Sequence, residues 1–96
     1  MHYYVYLLRI AVDRAIYEPH LPAHLRYLDA LDAAGTLVLS GPFGDRSGGM
    51  VMIRAETAEA ARAVAEGDPL VAEGVDTYEL KEWRLTGGRL HRLRVG

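Results

Sequence analysis

The sequence predicts a small α+β domain in which one antiparallel sheet of four strands carries two helices on one face. Three observations support this fold class. Residues 2–10, HYYVYLLRI, are dense in aromatic and branched side chains, as strands are. Leu21, Leu25, Leu28 and Leu31 recur at the spacing of one helix face. The segment TAEAARAVAEG (57–67) opens on a capping threonine and closes on a glycine, the punctuation of a second helix. With 96 residues, half of them apolar, the chain makes one domain with little tendency to disorder.

The first strand is apolar on both faces, with Tyr4, Tyr6, Leu8 and Ile10 on one side and Tyr3, Val5 and Leu7 on the other. A small antiparallel sheet usually leaves one face wet, so a second apolar face calls for a cover. A second copy packed sheet against sheet is the economical answer, and a homodimer is expected. DRAIYEPH (13–20) reads as a connection closed by Pro19. Pro22 suits a first helical turn, and the leucine helix runs to Gly35. TLVLSGPF (36–43) is the second strand, bent or ended by Gly41-Pro42. GDRSGG (44–49) is a turn cluster and MVMIRA (50–55) the third strand, the two strands forming a hairpin. In the second helix Glu59 suits the first turn, and Ala58, Ala61, Val64 and Ala65 form the face turned to the sheet. DPLVAEG makes a turn or one helical turn. VDTYELKEWRL (75–85) is the last strand, where Trp83 breaks the alternation and suggests a bulge. The order β-α-β-β-α-β is the split-βαβ, or ferredoxin-like, arrangement. The domain is expected over 1–85, followed by a basic, glycine-rich tail at 86–96.

The charge balance excludes several partners. A net charge of −2 and a pI near 6.0 give no overall attraction to nucleic acid or anionic membranes. The arginines of the tail (Arg84, Arg89, Arg92, Arg94) lack the interleaved aromatics of a nucleic-acid site and read as solvated. There is no cysteine, hence no disulfide, thiolate metal site or cysteine nucleophile. No signal peptide or transmembrane run is visible, so a soluble cytoplasmic protein is expected. No phosphate-binding glycine loop, serine elbow or paired-carboxylate motif appears.

His24 is the residue that asks for an explanation. With Leu21 at 0° and a step of about 100° per residue, Leu25 falls near 40°, Leu28 near 340°, Leu31 near 280° and His24 near 300°. The imidazole therefore points toward the sheet, whereas Arg26 and Asp29 point to solvent; Asp32, near about 20°, breaks the pattern in the last turn. A buried imidazole needs a hydrogen-bond partner or a pocket. Two readings stay open: a core histidine bonded to a carbonyl or a tyrosine hydroxyl, and a general acid or base lining a pocket. His20 and His24 have the four-residue spacing of two ligands on a helix, but Pro22 places His20 before the helix, and no cysteine or nearby carboxylate completes a metal set. Asp68 reads locally as the cap of a short turn begun by Pro69, a role compatible with presenting its second oxygen to an imidazole. Asp45 and Asp76 read as solvated. Ser40 is placed to donate a hydrogen bond, and Gly41 allows close backbone approach, although both also read as strand-end turn residues. Tyr3, Tyr4 and Tyr6 read as core or interface residues, with one hydroxyl able to reach a pocket.

PAHLRYLDALDAAGTLVLSGPF, then GGMVMIRAETAEAARAVAEGDPLVAEGV, then YELKEW together resemble the YciI-like (YCII-related domain) family. The likeness spans roughly residues 3–84 and includes the HL-x-x-L helix, the SGP after the second strand and the DP-x-x-x-x-G turn. It implies a dimeric α+β barrel and a His24–Asp68 dyad at the rim of a cleft. Ser40, Gly41 and Pro42 are expected beside the substrate. No cofactor and no metal are expected. The activities that go with the family and its fold are dehydrochlorination and lactone isomerisation. The expected function is thus proton transfer on a small cyclic or aromatic compound, with a non-catalytic ligand-binding module of the same fold as the alternative. His20 and the tail lie outside the resemblance.

Overall fold

In the computed structural model, which describes residues 1–88, four strands form one antiparallel sheet: β1 (His2–Ile10), β2 (Leu37–Pro42), β3 (Gly48–Ala55) and β4 (Asp76–Glu82), in the order β2-β3-β1-β4. The helices are α1 (Arg14–Tyr17), α2 (Leu21–Ala33), α3 (Ala58–Gly67) and α4 (Pro69–Ala72), with a 3-10 turn at Glu18–His20. This is the expected ferredoxin-like βαββαβ architecture.

The two faces of β1 divide as its alternation requires. Tyr4, Tyr6 and Leu8 join Leu28, Val51, Ile53, Ala61, Ala65 and Leu70 in the main core. Ala61 and Ala65 are fully buried, their small side chains letting α3 lie close to the sheet; Ala58 is exposed at the start of that helix rather than turned inward. Thr57 caps α3 by accepting from Ala60 N–H at 3.1 Å, and the Tyr27 hydroxyl donates to the Val64 carbonyl at 2.8 Å, tying α2 to α3. On the opposite face Tyr3, Val5 and Met52 form a second apolar cluster with Leu7, Val38 and Met50, against which Leu85 packs. The chain's own C-terminal segment thus covers part of that face, while Leu39, paired with Met52, stays 54% exposed.

Several expectations need correction. The connection 13–20 is helical: Ile16 and Tyr17 N–H groups donate to the Asp13 carbonyl, and Tyr17 is buried. Leu25 is exposed and Asp32 is too, so the inward arc of α2 centres between His24 and Leu28. The β1–β4 register runs unbroken from Tyr4↔Glu82 to Ile10↔Asp76; the irregularity is in β2, between Leu37 and Leu39. Trp83 lies beyond β4, donating its N–H to the Tyr3 carbonyl at 2.9 Å, with its ring half exposed. Arg84 is exposed and pairs with Glu82; Arg89, Arg92 and Arg94 lie outside the described residues. No helix among the described residues is long and apolar enough to cross a membrane.

Gly48 and Gly49 belong to β3 rather than to the turn, facing Arg9 and Leu8. A Cβ at Gly48 would run into the Leu8 carbonyl, and one at Gly49 would stand 2.7 Å from the Gly41 oxygen. Backbone crowding, not turn geometry, requires glycine at both. Gly48→Ala is expected to cost about 3 kcal/mol or to prevent folding. Gly44→Ala, which meets nothing within 4 Å, should stay within about 0.5 kcal/mol of the parent. Urea denaturation of the two variants checks the contrast, and equal stabilities would refute it.

Candidate active site

His24 sits one turn into α2 and is buried, as its phase on the helix predicts. Asp68 ends α3 and begins α4, where Pro69 lacks the N–H that would otherwise need a partner. Its carboxylate, 0% exposed, caps α4 by accepting the Leu70 N–H at 3.0 Å. The same carboxylate takes the Tyr6 hydroxyl at 2.9 Å and stands 2.8 and 2.9 Å from His24 Nδ1. Capping and histidine contact are therefore one arrangement, with three donors around a buried anion.

This geometry specifies the histidine tautomer. A carboxylate only accepts hydrogen bonds, so Nδ1 carries the proton and Nε2 is left as the basic nitrogen. Nε2 has no hydrogen-bond partner among the described residues. Burial, then the charge of Asp68 and the hydrogen bond to it, push the Tyr6 hydroxyl far above its ordinary range, so Tyr6 remains a donor.

His24 borders a cleft of about 550 Å³ between α1 and α2 on one side and β2, β3 and their loop on the other. Ser40, Gly41 and Pro42 line the same cleft, so the residues singled out in the sequence share one site with His24. Nothing lies within 4 Å of a Cβ at Gly41, leaving open space above that backbone. Most other walls are apolar, from Leu8, Leu28, Phe43, Met50 and Val51, with Arg14 and Arg46 as the charged lining residues. Arg46 has φ 65°, a left-handed conformation that costs a non-glycine residue about 1 kcal/mol. Asp45 accepts from Ser47 at the exposed turn, as a solvated residue would. His20 ends the 3-10 turn ahead of α2. No group of three or more potential metal ligands occurs among the described residues.

Asp76 was expected in solvent and is instead 4% exposed, with neither carboxylate oxygen hydrogen-bonded among the described residues. The first position of a strand gives no sign of this in sequence, because the burial comes from packing around it. Burial pushes its carboxyl up to about 6, the charge of Asp68 adds to the rise, and His24 opposes it. The folded chain therefore holds the Asp76 proton to higher pH than the unfolded chain does. The resulting stability is complete below the ordinary carboxylate range and is lost as pH rises through about 6. Asp76→Asn keeps the group neutral. Its stability relative to the parent is expected to improve by roughly 1 kcal/mol between pH 5 and pH 7.5. Urea denaturation at the two pH values checks this, and a pH-independent difference would refute it.

Comparison with known proteins places this chain in a family. The sequence matches the family described as YCII-related domain over residues 1–84. It is 37% identical over 82 residues to the uncharacterized protein YjpA of Bacillus subtilis (strain 168), covering 85% of this chain and 96% of that one. In structure it is similar to 5-chloro-2-hydroxyhydroquinone dehydrochlorinase from Burkholderia phenoliruptrix AC1100, solved in complex with 2,5-dihydroxybenzoquinone. That match has a TM-score of 0.73 at 19% identity and covers 85% of this chain and 93% of that one. An identity that low speaks for the fold alone, whereas the family match runs through both His24 and Asp68. The chain belongs to the YCII-related domain family.

Proposed function

We propose that this protein is a cofactor-free acid–base enzyme acting on a small cyclic or aromatic compound, with His24 as the catalytic base and acid and Asp68 as its orienting partner. The reading rests chiefly on the fully buried Asp68 engaging His24 Nδ1 beside an apolar cleft, which directs Nε2 to a bound molecule. Nε2 takes a proton from an acidic C–H or O–H of the substrate, and the imidazolium so formed is stabilised by the Asp68 carboxylate. Return of that proton to another atom of the ring system is an isomerisation. Departure of chloride from the deprotonated ring, with a new π bond formed, is a dehydrochlorination. Ser40 and the Gly41–Pro42 backbone position the substrate. The dehydrochlorinase activity of the structural relative lends this lyase-type reading support.

Proton transfer by a placed side chain contributes roughly 10²–10⁴-fold in rate. On a turned-over compound from a panel of chlorinated hydroquinones and unsaturated lactones, His24→Ala should lower kcat by about that factor while far-UV circular dichroism stays unchanged. Asp68→Asn should lower kcat comparably, because an amide no longer enforces the Nδ1–H tautomer. Turnover retained by His24→Ala would overturn the assignment.

We further propose that the chain forms a homodimer through the sheet face carrying Tyr3, Val5 and Met52, whose neighbour Leu39 is left exposed in the single chain. On β4 the same face bears Thr77, Glu79 and Lys81, opposite Arg9, Leu7 and Val5, so the apolar contact is confined to β1, β2 and β3. Sedimentation equilibrium at micromolar concentration should give twice the chain mass, and Leu39→Lys should shift the equilibrium toward monomer. A monomer for the parent protein would refute the interface.

A further inference from the structure

The cleft holds two cations that lie outside the dyad. Arg14 and Arg46 both line it, and neither takes part in an ion pair or a side-chain hydrogen bond among the described residues. By contrast, Arg54 donates twice to the Gly35 carbonyl and Arg84 donates to Glu82. Arg14 lies over the Tyr17 ring, 5.6 Å from its centre, a cation–π contact that uses none of its N–H groups as a hydrogen-bond donor to an oxygen. In a chain of net charge −2, two arginines beside a general base are a local choice.

Among the described residues the wall of the cleft offers no opposing charge, since none that line it is Asp or Glu. Asp68 is fully buried and engaged by three donors. Arg46 adds an independent indication, because it occupies a left-handed position, φ 65°, that glycine or asparagine ordinarily takes. The turn is already braced by the Arg46 N–H to the Phe43 carbonyl at 3.0 Å and by Ser47 on Asp45. Backbone geometry therefore gives no reason for arginine there, whereas a guanidinium reaching the cleft does.

We infer that the cleft selects a ring compound bearing a carboxylate, drawn by Arg14 and Arg46 while its reacting proton faces His24 Nε2. This rests on the acid–base reading above and adds the substrate class to it. A guanidinium fork matches a carboxylate in shape and charge. The apolar walls take the ring, and about 550 Å³ lies within the usual size of small-molecule sites.

Calorimetric titration of the full chain with 3-hydroxybenzoate and its neutral counterpart 3-hydroxybenzamide tests the inference without needing turnover. The carboxylate should bind at least about tenfold more tightly at low salt, and the preference should fall toward parity in the Arg14→Gln/Arg46→Gly double variant. Arg46→Gly relieves a strained position and should keep or raise Tm, so its loss of preference is not a folding defect. His24→Gln should retain the preference for the carboxylate. Equal binding of the two probes, binding of neither, or a preference that survives loss of both arginines would overturn the inference. So would a preference abolished by His24→Gln alone. Turnover that depends on His24 but ignores ring charge would leave the acid–base reading standing and remove only the anion selectivity.

Discussion

A single buried carboxylate organises this molecule. Asp68 receives the Tyr6 hydroxyl from the central strand, Nδ1 of His24 from α2 and the Leu70 N–H from its own helical turn. An ionised carboxylate out of water is tolerable only when its lone pairs are met, and here three donors from three elements meet them. The same bonds set the position of α2 over the sheet, the start of α4 and the protonation of one imidazole nitrogen. Fold and candidate chemistry share this one constraint, so the site cannot loosen without loosening the packing of α2 on β1.

The glycine pair at the start of β3 is the complementary constraint. A side chain at Gly48 would collide with the Leu8 carbonyl and one at Gly49 with the Gly41 oxygen, so β3 has no room for a Cβ beside β1 and β2 along that line. Glycine removes side-chain volume from the strands there, and the cleft lies above them, bordered by His24 on the facing helix. The sheet's two faces carry separate duties. Tyr4, Tyr6 and Leu8 face the helices and the site, while Tyr3, Val5 and Met52 form the apolar patch proposed as the dimer contact.

Much of this was legible in the sequence because it rests on periodicity. The alternation of β1 separates Tyr6 from Tyr3 and Val5, and the turn of α2 sends His24 inward with Leu28. The stripe of leucines nonetheless misplaces the centre of the buried arc. Leu25, read as core, is 56% exposed and borders the cleft, whereas His24 lies near the middle. Local pattern also had no means of distinguishing a turn glycine from a crowded strand glycine, since Gly48 is explained by Leu8 backbone atoms forty residues away and Gly49 by the Gly41 backbone across the hairpin. The pairing of His24 with Asp68 came from family resemblance, because contacts between residues 44 positions apart have no local signature. Tyr6 as the third member of that group, and the two arginines, needed the assembled fold.

Asp76 shows how far environment outweighs residue type. It and Asp68 are both buried aspartates, yet among the described residues Asp68 has three donors and Asp76 has none. Contrasting environments of this kind separate the roles of paired carboxylates. Asp68 is committed to orienting an imidazole, while Asp76 keeps its proton until about pH 6 and feels His24 only through the field between them. A positive charge on His24 would favour ionisation of Asp76, which is why the imidazole opposes the effect of burial there. The candidate site thus sets one carboxylate in contact with Nδ1 and a second within the same field, inside an otherwise apolar core.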